Sequence, residues 1–153
     1  MPSARAKVWN ALQPENRIEQ IERFVQSLSD SQDARSFNKH FATDVVWGNP
    51  SGGTLTGFDA LHAVHSRFFD GPMRHNRSRF TLVNVVFYRA DVAVAHVRRE
   101  AIDDKGAVIN PDTESNPYLF HEMAMYVLIL RDGEWWLAAG QNTPVRENPL
   151  ILQ

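Results

Sequence analysis

The chain has 153 residues, 43% of them hydrophobic, which is enough for one domain with a real core and too little for two independent ones. A formal net charge of -2, with no basic cluster beyond residues 74–79, gives no attraction to nucleic acid or to an anionic membrane. The absence of cysteine excludes disulfides, thiolate metal sites and a cysteine nucleophile, and suits a reducing cytoplasm.

In chain order, residues 1–14 read as an N-terminal arm. Residues 1–10 lack the apolar core of a signal peptide, and no apolar run reaches membrane-spanning length, so a cytoplasmic protein is expected. Asn16 with Glu19 three residues on has the form of a capping box. Ile18, Ile21, Val25 and Leu28 then recur at helical spacing with Phe24 beside them, which predicts a helix over residues 16–29. After a polar break a shorter helix is expected across Ala34, Phe37 and Phe41. Residues 44–47 read as a strand entering a turn at 48–53, and Thr54, Leu55 and Thr56 resume it briefly. Thr56 with Asp59 forms a second capping box, opening a helix whose buried stripe is Leu61, Val64, His65 and Phe68 and which stops at Asp70-Gly71-Pro72.

From there the chain turns to strands. Residues 79–88 and 92–102 alternate well enough to pair, and residues 103–117 form a long loop. The apolar run 123–130 and the strand after Asp132-Gly133 read as an antiparallel hairpin joined by a tight turn. Simple alternation along the last strand puts Trp135, Leu137, Ala139 and Gln141 on one side and Trp136, Ala138, Gly140 and Asn142 on the other. Residues 145–153 are left as a C-terminal tail.

Helices first and a meandering sheet afterwards is an α+β pattern. The expected architecture over residues 15–144 is a cone-shaped α+β barrel, with the N-terminal helices on the concave face of a strongly curved, mainly antiparallel sheet. The open end of such a cone leaves a cavity with apolar walls and a few polar groups. The expected lining is Trp47, Asn49, His65, Met123 and Gln141.

His65, on the buried stripe of its helix, has a side chain suited to proton transfer near neutrality, or is a core histidine satisfied by a hydrogen bond. His62 partly shares that face, but a zinc site would need a third ligand from His96, His121 or an acid, and no metal is expected. On the strand 92–102, His96, Arg98 and Glu100 share one face. Arg98 could bind a carboxylate or enolate oxygen inside, or pair with Glu100 on the outer face. Asn49, Gln141 and Asn142 are amides near strand ends that can orient a ligand carbonyl or satisfy loop backbone. Phe24, Trp47, Met123, Met125 and Trp135 are core by default, yet a wall of methionine and aromatic groups fits a small apolar or aromatic ligand. No phosphate loop, dinucleotide fingerprint or nucleophile elbow is present.

Phe41-Ala42-Thr43-Asp44, Thr56-Gly57-Phe58-Asp59-Ala60-Leu61, His65, Asp91-Val92-Ala93-Val94-Ala95-His96 and the segment from Gly133 to Pro144 together resemble the SgcJ/EcaC family. That family lies within the SnoaL-like, ketosteroid-isomerase-like (nuclear-transport-factor-like) α+β barrel superfamily. The resemblance implies the cone-shaped fold, no cofactor, and an association with polyketide or aromatic metabolism. Carried onto this chain, the ketosteroid isomerase pattern places Asn49 before Pro50 where an aspartate base would stand. It places Phe24 at the first-helix tyrosine and His121 at the protonated aspartate. An amide takes no proton at neutral pH and a phenyl ring donates no hydrogen bond, so isomerisation of the steroid type by those residues is not supported.

Two functions remain open. One is a small cofactor-independent enzyme of isomerase, cyclase or dehydratase type, acting by acid/base chemistry on an apolar carbonyl-bearing polyketide-like or aromatic molecule. His65 and His121 would then carry the chemistry, and Trp47, Asn49, Phe24, Arg98, Met123, Gln141 and Asn142 would contact substrate. The other is a non-catalytic binding or oligomerisation domain. In either case one hairpin carries large apolar groups on both faces, which predicts a homodimer through the outer face of the sheet.

Overall fold

The first helix, α1 (Glu15–Asp30), buries Ile21, Phe24, Val25 and Leu28, the stripe its apolar spacing prescribes. These are the first elements of a computed structural model that describes residues 4–8, 15–113 and 119–145. Of the expected arm and tail, only residues 4–8 and Val145 fall among them. Asn16 lies inside α1 rather than capping it, because the helix already includes Glu15. A single helical turn follows, α2 (Ala34–Phe37). Phe41 does not extend it. Instead the Phe41 N–H bonds back to the Asn38 carbonyl and Phe41 opens β1 (Phe41–Gly48).

The turn after β1 returns the chain as the short β2 (Thr54–Thr56). Helix α3 (Phe58–Asp70) then starts without a side-chain cap. Its N-cap is Gly57 at φ 93°, a left-handed conformation that favours glycine, while Thr56 remains in β2, so the second capping box does not form. Strands β3 (Arg77–Arg89) and β4 (Val92–Ile102) pair as expected. The long loop contains a short 3₁₀ turn at Pro111–Thr113, and part of it lies outside the described residues. The final hairpin is β5 (Glu122–Arg131) and β6 (Glu134–Pro144). Asp132 and Gly133 both have positive φ, 52° and 79°, the signature of a type I′ turn whose twist matches the flanking strands.

The six strands form one sheet in the order β2-β1-β6-β5-β4-β3. Every neighbouring pair is antiparallel except β1 with β6, and β2 and β3 are the edges, so the sheet is open rather than closed. Register shifts in β1, β3 and β6 are of the kind that bend a sheet. Helix α1 lies against β3 and β6, and α3 lies against β1 and β2. The core between them contains Ile21, Phe24, Leu61, Phe87, Ala93, Ala95, Tyr126, Leu128 and Leu137. No helix among the described residues is long and apolar enough to cross a membrane.

One irregularity decides which side chains face inward. Leu137 pairs with Leu128 but Ala139 pairs with Val127, so Ala138 is an extra residue in β6. Past it the alternation shifts by one. Gly140 and Asn142 sit level with the buried Tyr126 and Ala124, and Gln141 sits level with the exposed Met125.

Candidate functional site

The site is built from the end of α2. Asp33 caps that turn, its carboxylate accepting the Ser36 N–H at 2.8 Å and the Ser36 hydroxyl at 2.7 Å. The Ser36 amide holds the Asp33 carboxyl below its usual range. The turn ends at Asn38, whose N–H bonds to the Ala34 carbonyl, and the side chain of Asn38 is carried inward to 1% exposure. There the amide meets two histidines one turn apart on α3. His65 Nδ1 lies 2.7 Å from Asn38 Oδ1, and His62 Nδ1 lies 3.0 Å from Asn38 Nδ2.

Three aromatic rings meet the His65 imidazole edge-on, with centroids at 5.4 Å for Phe37, 6.0 Å for Phe41 and 5.6 Å for Trp47. Burial lowers the His65 pKa from 6.5 to about 4, helped by the nearby His62 and by the Arg99 charge. At neutral pH the ring is uncharged. It can accept a proton or a hydrogen bond but carries no positive charge to offer.

Across the same face of the sheet, Arg99 and Glu122 pair at 3.0 Å, each largely removed from water. The Arg99 guanidinium also donates to the Phe120 carbonyl at 3.1 Å and lies over the Phe120 ring. Burial raises the Glu122 pKa, and Arg99 opposes the shift. Tyr126, fully buried on β5, has its phenol pKa raised by burial and by the Glu122 charge. Arg99 and Asn142 are therefore inward-facing donors on this side.

The residues singled out from sequence divide between the two faces. His65, Trp47, Phe24 and Asn142 lie on the helix side. Met123, Gln141 and Arg98 do not. Met123 pairs with Arg98 on the outer face, because the inward set of β5 is Glu122, Ala124, Tyr126 and Leu128. Arg98 is half-buried and turned toward Glu100 at 3.8 Å. The bulge at Ala138 turns Gln141 outward, where its side chain lies across Gly48 and its amide reaches the Asn49 carbonyl at 3.4 Å. Asn49 closes its own turn instead of pointing inward, its Oδ1 accepting the N–H groups of Ser51 and Gly53 at 3.0 and 2.8 Å. His121 precedes β5, and its Nδ1 is buried with no hydrogen-bond partner among the described residues.

Asn38, Arg99, Glu122 and Tyr126 escaped the sequence reading. Arg99 and Glu122 were legible in principle as charges at inward positions of apolar strands, but Asn38 carries no such signal. A separate groove of about 470 Å³ opens between α1 and β3, bordered by Val25, Gln26, Ser29, Arg77, Phe80 and Leu82. None of the candidate site residues read from sequence lines it.

The model of the SnoaL-like domain family matches residues 21–138, and the chain belongs to that family. Among solved structures, a domain of unknown function with a cystatin-like fold from Nostoc punctiforme superposes with a TM-score of 0.70 at 18% identity, covering 88% of this chain and 80% of that one. A ketosteroid isomerase-like protein from Erwinia carotovora atroseptica gives 0.65 at 16% identity, covering 87% and 99%. An NTF-2 like protein of unknown function from Shewanella oneidensis gives 0.65 at 11%, covering 83% and 98%. At these identities the likeness is one of fold. Comparison with curated proteins finds no match.

Proposed function

We propose that this protein is a small cofactor-independent enzyme of isomerase, cyclase or dehydratase type. It acts by acid/base chemistry on an apolar, carbonyl-bearing polyketide-like or aromatic molecule. The observation that carries the reading is the neutral, half-buried His65, hydrogen-bonded through Nδ1 to an amide and walled by aromatic rings on the helix side of the sheet. His65 takes a proton from the carbon next to the carbonyl. A base of this strength succeeds only where strong donors hold the enolate, and Arg99, a permanent cation on the same face, supplies one, with Asn142 as a second. The resemblance to the SgcJ/EcaC family and the fold shared with a ketosteroid isomerase-like protein support this chemistry. A cytoplasmic homodimer is part of the same proposal.

The competing reading is non-catalytic binding of the same ligand class, and one observation favours it: His65 is enclosed by three rings and its hydrogen bond goes to an amide rather than a carboxylate. The test is proton exchange. Aryl ketones and aromatic β-diketones incubated with the protein in deuterium oxide should exchange their α protons faster than in buffer. His65→Gln should abolish the excess while the melting temperature stays within a few degrees. No enhancement with any of these carbonyl compounds, together with a small molecule that co-purifies in native mass spectrometry, would establish binding instead.

A further inference from the structure

We infer that Asn38, aligned by His62, is a positioning residue that holds His65 in its Nδ1–H tautomer, leaving Nε2 as the acceptor of the ring. This deepens the proposed function and rests on it for its catalytic meaning. An amide oxygen only accepts and an amide nitrogen only donates. Because Oδ1 of Asn38 faces His65 at 2.7 Å, His65 Nδ1 must carry the proton. Because Nδ2 faces His62 at 3.0 Å, His62 Nδ1 must be the bare nitrogen. The two hydrogen bonds are coupled: turning the amide over would exchange the tautomers of both rings, so the orientation of Asn38 decides both.

The backbone leaves Asn38 little freedom. Its N–H bonds to Ala34, its carbonyl accepts from Phe41, and its side chain is buried. His62 is steadied in turn by its stack on Phe58, with centroids 5.3 Å apart and an interplanar angle of 13°. In water neutral histidine favours the proton on Nε2, so the tautomer inferred for His65 is one that Asn38 imposes. The imposed form suits one half of the chemistry. An Nε2 lone pair removes a proton from the substrate, whereas an Nε2–H would donate to its carbonyl. The donor to the substrate oxygen therefore comes from elsewhere on the inner face, and the first step is proton removal.

Nitrogen NMR on protein with isotope-labelled histidine reads the tautomer directly and needs no substrate. The wild-type spectrum at neutral pH should show His65 protonated at Nδ1 and bare at Nε2; an Nε2–H ring would overturn the inference. Asn38→Leu should shift His65 to the Nε2–H form, and His62→Phe, which keeps the stack on Phe58 but frees the amide to turn, should give both forms. An unchanged tautomer in either variant would count against it. Should the leucine variant fail to fold, Asn38→Asp still decides. Its carboxylate keeps the Nδ1–H and raises the His65 titration midpoint above its wild-type position near 4, and an unmoved midpoint would overturn the proposal. Catalysis is read separately: a correct tautomer with no proton exchange would refute the enzyme while leaving the role of Asn38 intact.

Discussion

His65 couples stability to pH, because burial keeps its ring neutral. Its folded pKa, about 4, lies below the ordinary 6.5, so in that interval the unfolded chain binds the extra proton. His65 therefore contributes full stability above pH 6.5 and loses it as pH falls toward 4. From pH 7 to pH 5 the loss is about 2 kcal/mol. Urea unfolding at those two pH values should show it in the wild type, and His65→Gln should flatten the difference. Arg99 and Glu122 form the other buried polar unit. Arg99→Met strands a buried carboxylate and should cost about 3–5 kcal/mol. The double variant with Glu122→Met should recover most of that loss, measured by the same unfolding curves; equal losses in single and double variants would mean the pair is not coupled. At this scale the sequence was partly legible. Helical spacing turns Leu61 and His65 inward as expected, but Phe68, expected on the same buried stripe, is exposed; the partner of His65 sits on a different helix turn, and one asparagine among several polar residues gives no sign that it will be enclosed.

The elements were legible wherever local chemistry decides them. Asp132-Gly133 dictates its own turn, and the apolar period of α1 dictates its buried face. Two capping boxes failed because the starting residue of a helix depends on what precedes it, and a positive φ at Gly57 displaced Thr56. The bulge at Ala138 misled the reading most. Two alanines opposite Val127 look like ordinary strand residues, yet the extra one reverses every face after it and exchanges Gln141 for Asn142 on the inner side. The next inward position is Gly140, where a methyl group would come within 2.6 Å of Trp47 Cζ3 and 3.2 Å of Tyr126 Cδ1. Gly140→Ala should therefore push Trp47 off the wall beside His65. It should cost about 1–3 kcal/mol and change the tryptophan emission. If stability and emission both stay as in the wild type, the register assigned to β6 is wrong.

For the whole molecule, an open sheet with helices on one face leaves the other face to be accounted for. Val46 is 51% exposed and Met125 46%, and half-buried Val94, Val127, Ile129 and Trp136 lie on the same outer side. Arg98 and Glu100 border them on β4, and Asn84 bonds His96 there at 2.8 Å. An apolar centre with a polar rim is the layout of an interface between proteins rather than of free surface. In the proposed homodimer a second copy would meet the patch with the same patch, and a two-fold arrangement would close after two subunits. Because Met125 is near the middle of the sheet on β5 and is exposed on its outer face, Met125→Glu should leave the fold intact while setting like charges against each other in the dimer. Trp136→Glu tests the same face, although Trp136 also meets the His40 ring at 5.5 Å and its loss can cost stability within one subunit. Sedimentation equilibrium at tens of micromolar should give a dimer for the wild type and a folded monomer for Met125→Glu. A wild-type monomer, or a variant that stays dimeric, would move the interface elsewhere and leave this face exposed to solvent.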